Sequence, residues 1–359
     1  MGTPPTFQKS LPGMVLLLMP SQDCQRRKQS SGDSENQTTW LILVGFRELQ
    51  HLGFLPFIFF LAIYVVTVGG NVLIALAVAS SRTLHTPMYF FLCHFSLLEI
   101  GYTSNIVPQL LWSFLEGREA ISLVSCLVQF YMFASLAATE CLLLSAMSYD
   151  RYLAICHPLH YTALMSTCLC GCLAAGAWFS GFSFSAFTLT LAAPLPLCPG
   201  SREIDRYFCD FAPVTGLFCG DVAAMWGAGV SISGFLTVAP FLLIVASYAF
   251  ILRTVPQIPS GHGREKAFST CSSHLSVVGV FYGTLIVVCV APTDHMPPLL
   301  RKAFSVFYTV FTPMVNPIIY SLKNQQVNGA LHRLWGKLIP RHTPPREMGQ
   351  LLTSSWIPA

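Results

Sequence analysis

Charged residues are scarce in this 359-residue chain: Asp, Glu, Lys and Arg together make up 10% of it, against 53% for hydrophobic residues. Soluble domains typically carry about a quarter charged residues, so a soluble protein of this length would lack the polar surface to cover itself. The sequence also lacks a Ser/His/Asp set, a phosphate-binding loop or a metal-ligand cluster with sensible spacing in one compartment. These absences argue against a soluble protein and against an enzyme.

Long apolar stretches are abundant instead. Each is long enough to cross a bilayer core of about 30 Å, which takes roughly 20 helical residues. Lipid offers the backbone no hydrogen-bond partner, so each stretch is expected to be helical. The predicted spans are Phe54–Ala79, Met88–Leu111, Leu123–Tyr149, Cys168–Ala192, Met225–Leu252, Cys271–Pro292 and Pro298–Leu322. The sequence therefore predicts an all-α membrane protein, a bundle of seven transmembrane helices.

The distribution of Lys and Arg indicates how this bundle is oriented. If the amino terminus is outside, most basic residues that follow the first span lie on the inner side, and acidic residues dilute those in the outer loops. Basic residues ahead of the first span weaken this argument. The acceptor Asn36-Gln-Thr38 for an N-linked sugar supports it, because glycosylation occurs only on the lumenal side. We predict an outside amino terminus.

Three segments follow from this topology. Residues 1–50 are predicted to be an extracellular segment that is largely disordered, and residues 51–322 form the seven-transmembrane domain. Residues 323–359 form a cytoplasmic tail, in which basic residues alternate with Val327, Leu331 and Leu334. That spacing suits a short amphipathic helix whose partner is the lipid of the inner leaflet.

The 13 cysteines divide by compartment. Four of them fall on the outer side, where the lumen is oxidising: Cys126, Cys198, Cys209 and Cys219. Spacing alone allows three pairings of these four. The run Cys168-x-Cys170-x-Cys172 has no suitable second half and lies in a predicted span, so we interpret it as packing rather than as a zinc site.

An Asp-Arg pair marks the inner end of the third apolar stretch. In the run SAMSYDRYLAICHPLHY, Asp150 and Arg151 lie at the membrane face. Arginine there reaches water while its stem stays in hydrocarbon, and the neighbouring carboxylate can hold it. The pair is either a switch or an anchor for a helix end.

Further motifs favour the switch. They are Gly70-Asn71, Leu84–Phe91, Ser247-Tyr248, Lys266–Leu275, Phe281–Thr284 and Pro313–Tyr320. In this order and spacing, over roughly residues 40–335, they resemble the olfactory receptor branch of rhodopsin-like G-protein-coupled receptors. A seven-helix transporter predicts none of them, and the chain shows no internal hydropathy repeat.

This resemblance implies a fold, a partner and a location. It implies the disulfides Cys126–Cys209 and Cys198–Cys219, a stimulatory heterotrimeric G protein that raises cyclic AMP, and the plasma membrane of olfactory sensory neuron cilia. No nucleic acid is expected as a partner. The alternatives are a rhodopsin-like receptor for a non-odorant ligand outside the nose and a seven-helix transporter.

The resemblance also places an odorant pocket between the helices. The matching positions are Phe133, Ala134, Ala137, Ala138, Ile232, Ser233, Leu236, Tyr282, Leu285, Cys289, Val306 and Thr309. None of them is charged. The pocket is therefore predicted to take small, mostly apolar, volatile molecules, with Ser233, Tyr282 and Thr309 available for hydrogen bonds.

Candidate switch residues lie towards the inner side. They are Asp150, Arg151, Tyr152, Tyr248, Asn316, Pro317 and Tyr320. Asn316-Pro317 breaks the backbone ladder of the seventh helix, which creates a hinge. Tyr248 and Tyr320 carry hydroxyls suited to bonding each other or Arg151 after a rearrangement, or they are static interfacial tyrosines.

Two acids, Glu99 and Glu140, lie inside predicted spans, where an isolated charge costs at least a few kcal/mol. The resemblance suggests that a sodium ion is held by Glu99, Glu140, Asn71 and Asn316. No other cofactor is expected. The alternative is one proton shared by the two carboxyl groups.

Overall fold

The computed structural model describes residues 40–200, 202–290, 297–323 and 325–338. The predicted glycosylation site at Asn36, most of segment 1–50 and the tail beyond residue 338 lie outside these residues. The long helices are α1 Leu55–Ser80, α2 Pro87–Glu116, α3 Leu123–Cys156, α4 Thr167–Ala192, α5 Ala223–Thr254 and α6 Gly261–Val290. They are followed by α7, in the joined pieces Pro298–Val306, Phe307–Phe311 and Thr312–Lys323, and by α8, Gln325–Leu338.

Among the described residues, five helical segments are long and apolar enough to cross a membrane. They are Leu55–Ser80, Leu123–Cys156, Thr167–Ala192, Ala223–Gln257 and Leu299–Tyr320, with a shorter apolar segment at Cys271–Val287. Helix α6 begins at Gly261 rather than at the predicted Cys271, and α3 continues past Tyr149 to Cys156. The Asp-Arg pair is consequently helical.

Local sequence sets several helix starts. The side chains of Ser122 and Ser166 accept the backbone N–H of Ser125 and Leu169, which caps α3 and α4. Proline occupies the first turn of α1, α2 and α7, where its missing N–H costs no helical bond. Helix α3 packs against α2, α4, α5 and α6 and is the central element of the bundle.

A small sheet closes one end of the bundle. This end is called the outer end because the predicted orientation places it outside, and the opposite end is called the inner end. Strand β1, Trp40–Val44, pairs antiparallel with β2, Arg118–Ser122, and parallel with β3, Glu203–Ile204. Leu41 and Leu43 alternate inward along β1 and are buried. The chain is mostly helical, as predicted. The small sheet was not predicted, because hydropathy alone does not reveal pairing with distant loops. It gives Trp40–Val44 a regular structure within the amino-terminal segment that was predicted to be largely disordered.

Two disulfides fix the loop between α4 and α5. Cys126 pairs with Cys209 at a Cα separation of 5.5 Å, and Cys198 pairs with Cys219 at 4.9 Å. These are the pairings that the family resemblance implied. The first ties the loop to α3, and the second closes the loop on itself.

Lys302 joins three outer segments at the start of α7. Its Nζ donates to the Gly45 carbonyl at 2.9 Å and to Asp205 Oδ1 at 2.7 Å, with Glu48 Oε1 at 3.8 Å. The side chain is only 1% exposed. A lysine this deeply buried requires such partners, so Lys302 holds the amino-terminal segment, the outer loop and α7 together.

Candidate ligand pocket and cytoplasmic switch

The outer half of α3 carries an aromatic wall. The ring of Phe133 lies 5.2 Å from Phe208, 5.6 Å from Tyr102 and 6.4 Å from Tyr308, measured between centroids. Phe208 comes from the outer loop, next to Cys209. Phe208 is not among the predicted lining residues. The signal for it is Cys126, which lies two helical turns from Phe133 on the same face and whose disulfide brings Phe208 there.

The predicted lining residues differ in burial. The buried ones are Leu236, Tyr282, Val306 and Thr309, and the half-buried ones are Phe133, Ala134, Ala137, Ala138, Ile232 and Leu285. Ser233 is exposed and its hydroxyl donates to the Val230 carbonyl at 3.2 Å, so the structure does not bring it together with the others. The side chain of Cys289 lies outside the described residues.

The polar groups of this region already have partners. The Tyr282 hydroxyl donates to the Thr237 carbonyl at 3.3 Å. Thr309 donates to the Ser305 carbonyl at 2.9 Å and accepts from the Tyr207 hydroxyl at 2.8 Å. Burial raises the pKa of Tyr207, which keeps this donor protonated. A ligand must therefore share or replace these bonds, which favours ligands with few polar groups.

At the inner end of α3, Asp150 holds two partners. Arg151 donates to Asp150 Oδ2 through both Nε, at 3.0 Å, and one terminal nitrogen. Tyr161, in the turn after α3, donates to Asp150 Oδ1 at 2.7 Å. Burial and the negative charge of Asp150 raise the pKa of Tyr161, so it remains a donor at neutral pH. Arg151 thus contacts Asp150, and Tyr161 is an additional partner that the sequence did not indicate.

Tyr248 on α5 bonds to His274 on α6 rather than to Tyr320 or Arg151. Its hydroxyl lies 2.7 Å from His274 Nδ1, and His274 Nε2 lies 3.1 Å from the Leu144 carbonyl of α3. A carbonyl only accepts, so Nε2 carries the proton and Tyr248 donates to Nδ1. His274 therefore ties three helices together. His274 lies in the motif Lys266–Leu275, and the sequence pattern alone indicated no role for it.

The remaining switch residues differ in their contacts. The Tyr152 hydroxyl lies 2.9 Å from His157 Nε2. Within the described residues, the buried hydroxyl of Tyr320 has no hydrogen-bond partner. A Cβ at Gly70 of α1 would lie 3.1 Å from the Pro317 ring, so glycine permits α1 to approach α7 closely at the predicted hinge.

The two membrane acids share a buried polar cluster. Asn316 donates its amide to Glu99 Oε1, and Glu99 interacts electrostatically with Glu140. Asn71 donates to the Thr67 carbonyl of its own helix at 3.0 Å. Among the described residues, Glu99 Oε2, Glu140 Oε1 and Asn316 Oδ1 have no hydrogen-bond partner. Three such oxygens suit a hard cation, and two close carboxyl groups equally suit a shared proton.

The described part of the chain contains no group of three or more His, Cys, Asp and Glu residues arranged to hold a metal ion. A transition-metal site therefore finds no support there. A sodium ion, which oxygen ligands alone can hold, does not require such a group.

Comparison with known proteins places these features in a family. Residues 60–337 match the family model described as olfactory receptor. The chain is similar to human olfactory receptor 11A1, with 47% identity over 83% of this chain and 95% of that protein. It is also similar to human olfactory receptor 10C1, with 45% identity over 85% and 97%, and to mouse olfactory receptor 2A7, with 42% identity over 84% and 97%.

Proposed function

Because the chain belongs to the olfactory receptor family, a family of membrane receptors and not of enzymes, we propose that it binds small volatile odorants beside α3 and activates a stimulatory heterotrimeric G protein. One observation carries this proposal. In the outer half of helix α3, Phe133 packs against Phe208 of the outer loop. At the inner end of the same helix, Arg151 donates hydrogen bonds to Asp150. A ligand that favours one arrangement of this helix over another also changes the availability of Arg151.

The proposed topology has seven spans, α1 to α7, with the amino terminus outside. Two disulfides in the loop between α4 and α5 support it, because disulfides persist on the oxidising side of the membrane. At the opposite end, Arg333 of α8 donates to Ser81 Oγ at 3.3 Å and Tyr89 donates to Gln326 at 2.9 Å. These contacts suit an α8 that lies on the inner leaflet. The proposed location is the ciliary membrane of olfactory neurons.

We also propose that Glu99, Glu140 and Asn316 hold a sodium ion in the resting state, with the shared proton as the alternative. When bound, the ion would offset one of the two negative charges that ionised Glu99 and Glu140 would place in the middle of the bundle. The three unpartnered oxygens support this choice. Asn71 would take part through its amide oxygen, because its amide nitrogen donates to the Thr67 carbonyl. If an ion is bound, basal cyclic AMP should depend on the sodium concentration, and this dependence should disappear in Glu140→Gln. If the carboxyl groups share a proton instead, sodium should have no effect on the wild type.

Enlarging Ala137 tests the location of the pocket. Ala137→Leu adds three carbons beside Phe133 without adding charge or removing a hydrogen bond. Overpacking costs about 1–3 kcal/mol, which corresponds to a loss of potency from about fivefold to about 150-fold. We expect the loss to grow with ligand size, measured as dose–response curves of cyclic AMP for aldehydes of increasing chain length.

Ala175→Leu is the matched control, because Ala175 lies on the exposed face of α4. It should leave potency unchanged throughout the aldehyde series. An equal loss for all chain lengths in Ala137→Leu indicates damaged folding or coupling, and unchanged potency would place the pocket elsewhere. A response restricted to non-volatile ligands would favour the receptor for a non-odorant ligand.

Replacing His274 tests the resting lock. His274→Phe keeps an aromatic ring but removes the bonds to Tyr248 and Leu144, which together contribute about 1–3 kcal/mol. Such a loss changes the ratio of resting to active receptor by about five- to hundredfold. We therefore expect a higher basal level of cyclic AMP. Leu275→Phe, which introduces the same ring at the exposed neighbouring position, should not change it. Equal basal levels in both variants would show that His274 only packs.

A further inference from the structure

A cavity of about 560 Å³ lies on the outer side of the molecule, separate from the wall around Phe133. It opens between the loop that joins α4 to α5 and the start of α7. Its volume falls in the range of about 300–1,000 Å³ that is usual for small-molecule sites. None of the positions assigned to the odorant pocket lines it.

The lining of this outer cavity carries a positive charge without an acidic partner. Arg206 donates to Ser305 Oγ at 2.9 Å and weakly to the Arg301 carbonyl at 3.5 Å. No carboxylate among the described residues lies within 4.0 Å of its guanidinium nitrogens. A guanidinium has five N–H donors, so most of its donors remain available.

The two acids that line the cavity are already engaged. Asp205 pairs with Arg301 at 3.3 Å and with Lys302 at 2.7 Å. Glu203 pairs with Arg118 at 3.2 Å. Neither acid therefore compensates Arg206, and the cavity favours an anion.

The rest of the lining is largely apolar. Ile204, Ala212, Pro213 and Leu217 also line the cavity, and Ile204 and Leu217 are buried. Such a lining suits a molecule that has one charged end and one short hydrocarbon end. We propose that the outer cavity is a second ligand site, which takes small aliphatic carboxylates with the carboxylate on Arg206 and the chain against Leu217.

Occupation of this site has a structural consequence. Arg206 already links the outer loop to Ser305 of α7. The same loop places Tyr207 and Phe208 over the predicted odorant pocket. A carboxylate on Arg206 therefore stabilises the closed outer cap, independently of any ligand beside α3.

The test uses hexanoate and its neutral analogue hexanol on the full chain, purified in a lipid nanodisc. Thermal unfolding should occur at a higher temperature with hexanoate than without it, and added salt should reduce this shift because it screens the charge. Hexanol should give no comparable shift. In Arg206→Gln the apparent affinity for hexanoate should fall about tenfold or more.

Three further variants separate the explanations. Arg202→Gln removes an exposed arginine of the same loop that does not line the cavity, and it should bind hexanoate normally. Ala212→Trp fills the cavity from an exposed position and should abolish the shift even if Arg206→Gln folds poorly. Ala137→Leu should retain the shift, because it changes only the pocket beside α3.

The proposal is overturned if hexanoate does not stabilise the wild-type chain, or stabilises Ala212→Trp as strongly as the wild type. Loss of the shift in Ala137→Leu would place the carboxylate in the odorant pocket instead. Because the shift requires neither a known odorant nor a G protein, its failure is distinguishable from failure of the proposed receptor function.

Discussion

Arg151→Ala should reach the cell surface and bind odorant but fail to raise cyclic AMP. Arg151 is held by Asp150 at rest, and its side chain is 13% exposed at the inner end of α3. Once it is released, its guanidinium is the proposed contact for the G protein, and alanine supplies none of its donors. We expect the maximal response to fall to the background of cells without receptor, measured beside surface labelling.

Removal of Arg151 also leaves Asp150 buried with the Tyr161 hydroxyl on its other oxygen, and breaking a buried pair typically costs about 3–5 kcal/mol. The double variant Asp150→Asn/Arg151→Ala removes this unpaired charge, so its surface expression should equal or exceed that of Arg151→Ala while its response stays at background. Arg253→Ala, at an exposed arginine near the inner end of α5, is the control and should signal normally. Full signalling by Arg151→Ala would show that the pair only anchors the helix.

Cys126→Ser should remove the receptor from the cell surface. The Cys126–Cys209 bond closes a separation of 83 residues and holds Phe208 against Phe133. Loss of a native disulfide typically costs about 2–5 kcal/mol, a large part of the roughly 5–15 kcal/mol by which domains are stable. We expect surface labelling near background, and mass spectrometry of non-reduced peptides should find Cys126 joined to Cys209.

Two other cysteines serve as controls for this prediction. Cys198→Ser opens a separation of only 21 residues, so chain entropy makes its loss smaller by about 1 kcal/mol. Cys168→Ser changes an exposed free thiol on α4 and should have no effect. A free Cys126 in the wild-type protein, or equal surface levels in all three variants, would contradict the assigned role of this disulfide.

Much of the fold follows from the sequence because membrane helices must satisfy their own backbone. Length and hydropathy alone locate α1, α3 and α4 to within a few residues at their starts. Helix α6 extends beyond the apolar segment at its inner end, where hydropathy carries no signal for a helix surrounded by water. The strand β1 escaped detection because its partners are distant in sequence.

The site was predictable where its residues are neighbours in sequence or belong to a motif. Asp150 and Arg151 are adjacent in sequence, and Asn316 was identified because it precedes Pro317 in the hinge motif. Tyr161, His274 and Lys302 were not assigned their roles, because the partners of each are set by packing between separate segments. A lysine before an apolar stretch predicts an exposed loop residue, and only the fold brings Asp205 and Gly45 to it.

A screen of volatile compounds against cells that express the chain and report cyclic AMP tests the central claim most directly. The account predicts that at least one small, mostly apolar volatile raises cyclic AMP in the wild type. The same compound should be weaker on Ala137→Leu and inactive on Arg151→Ala at equal surface levels. A surface-expressed receptor that answers no volatile compound, or an agonist that raises cyclic AMP equally through Arg151→Ala, would contradict it.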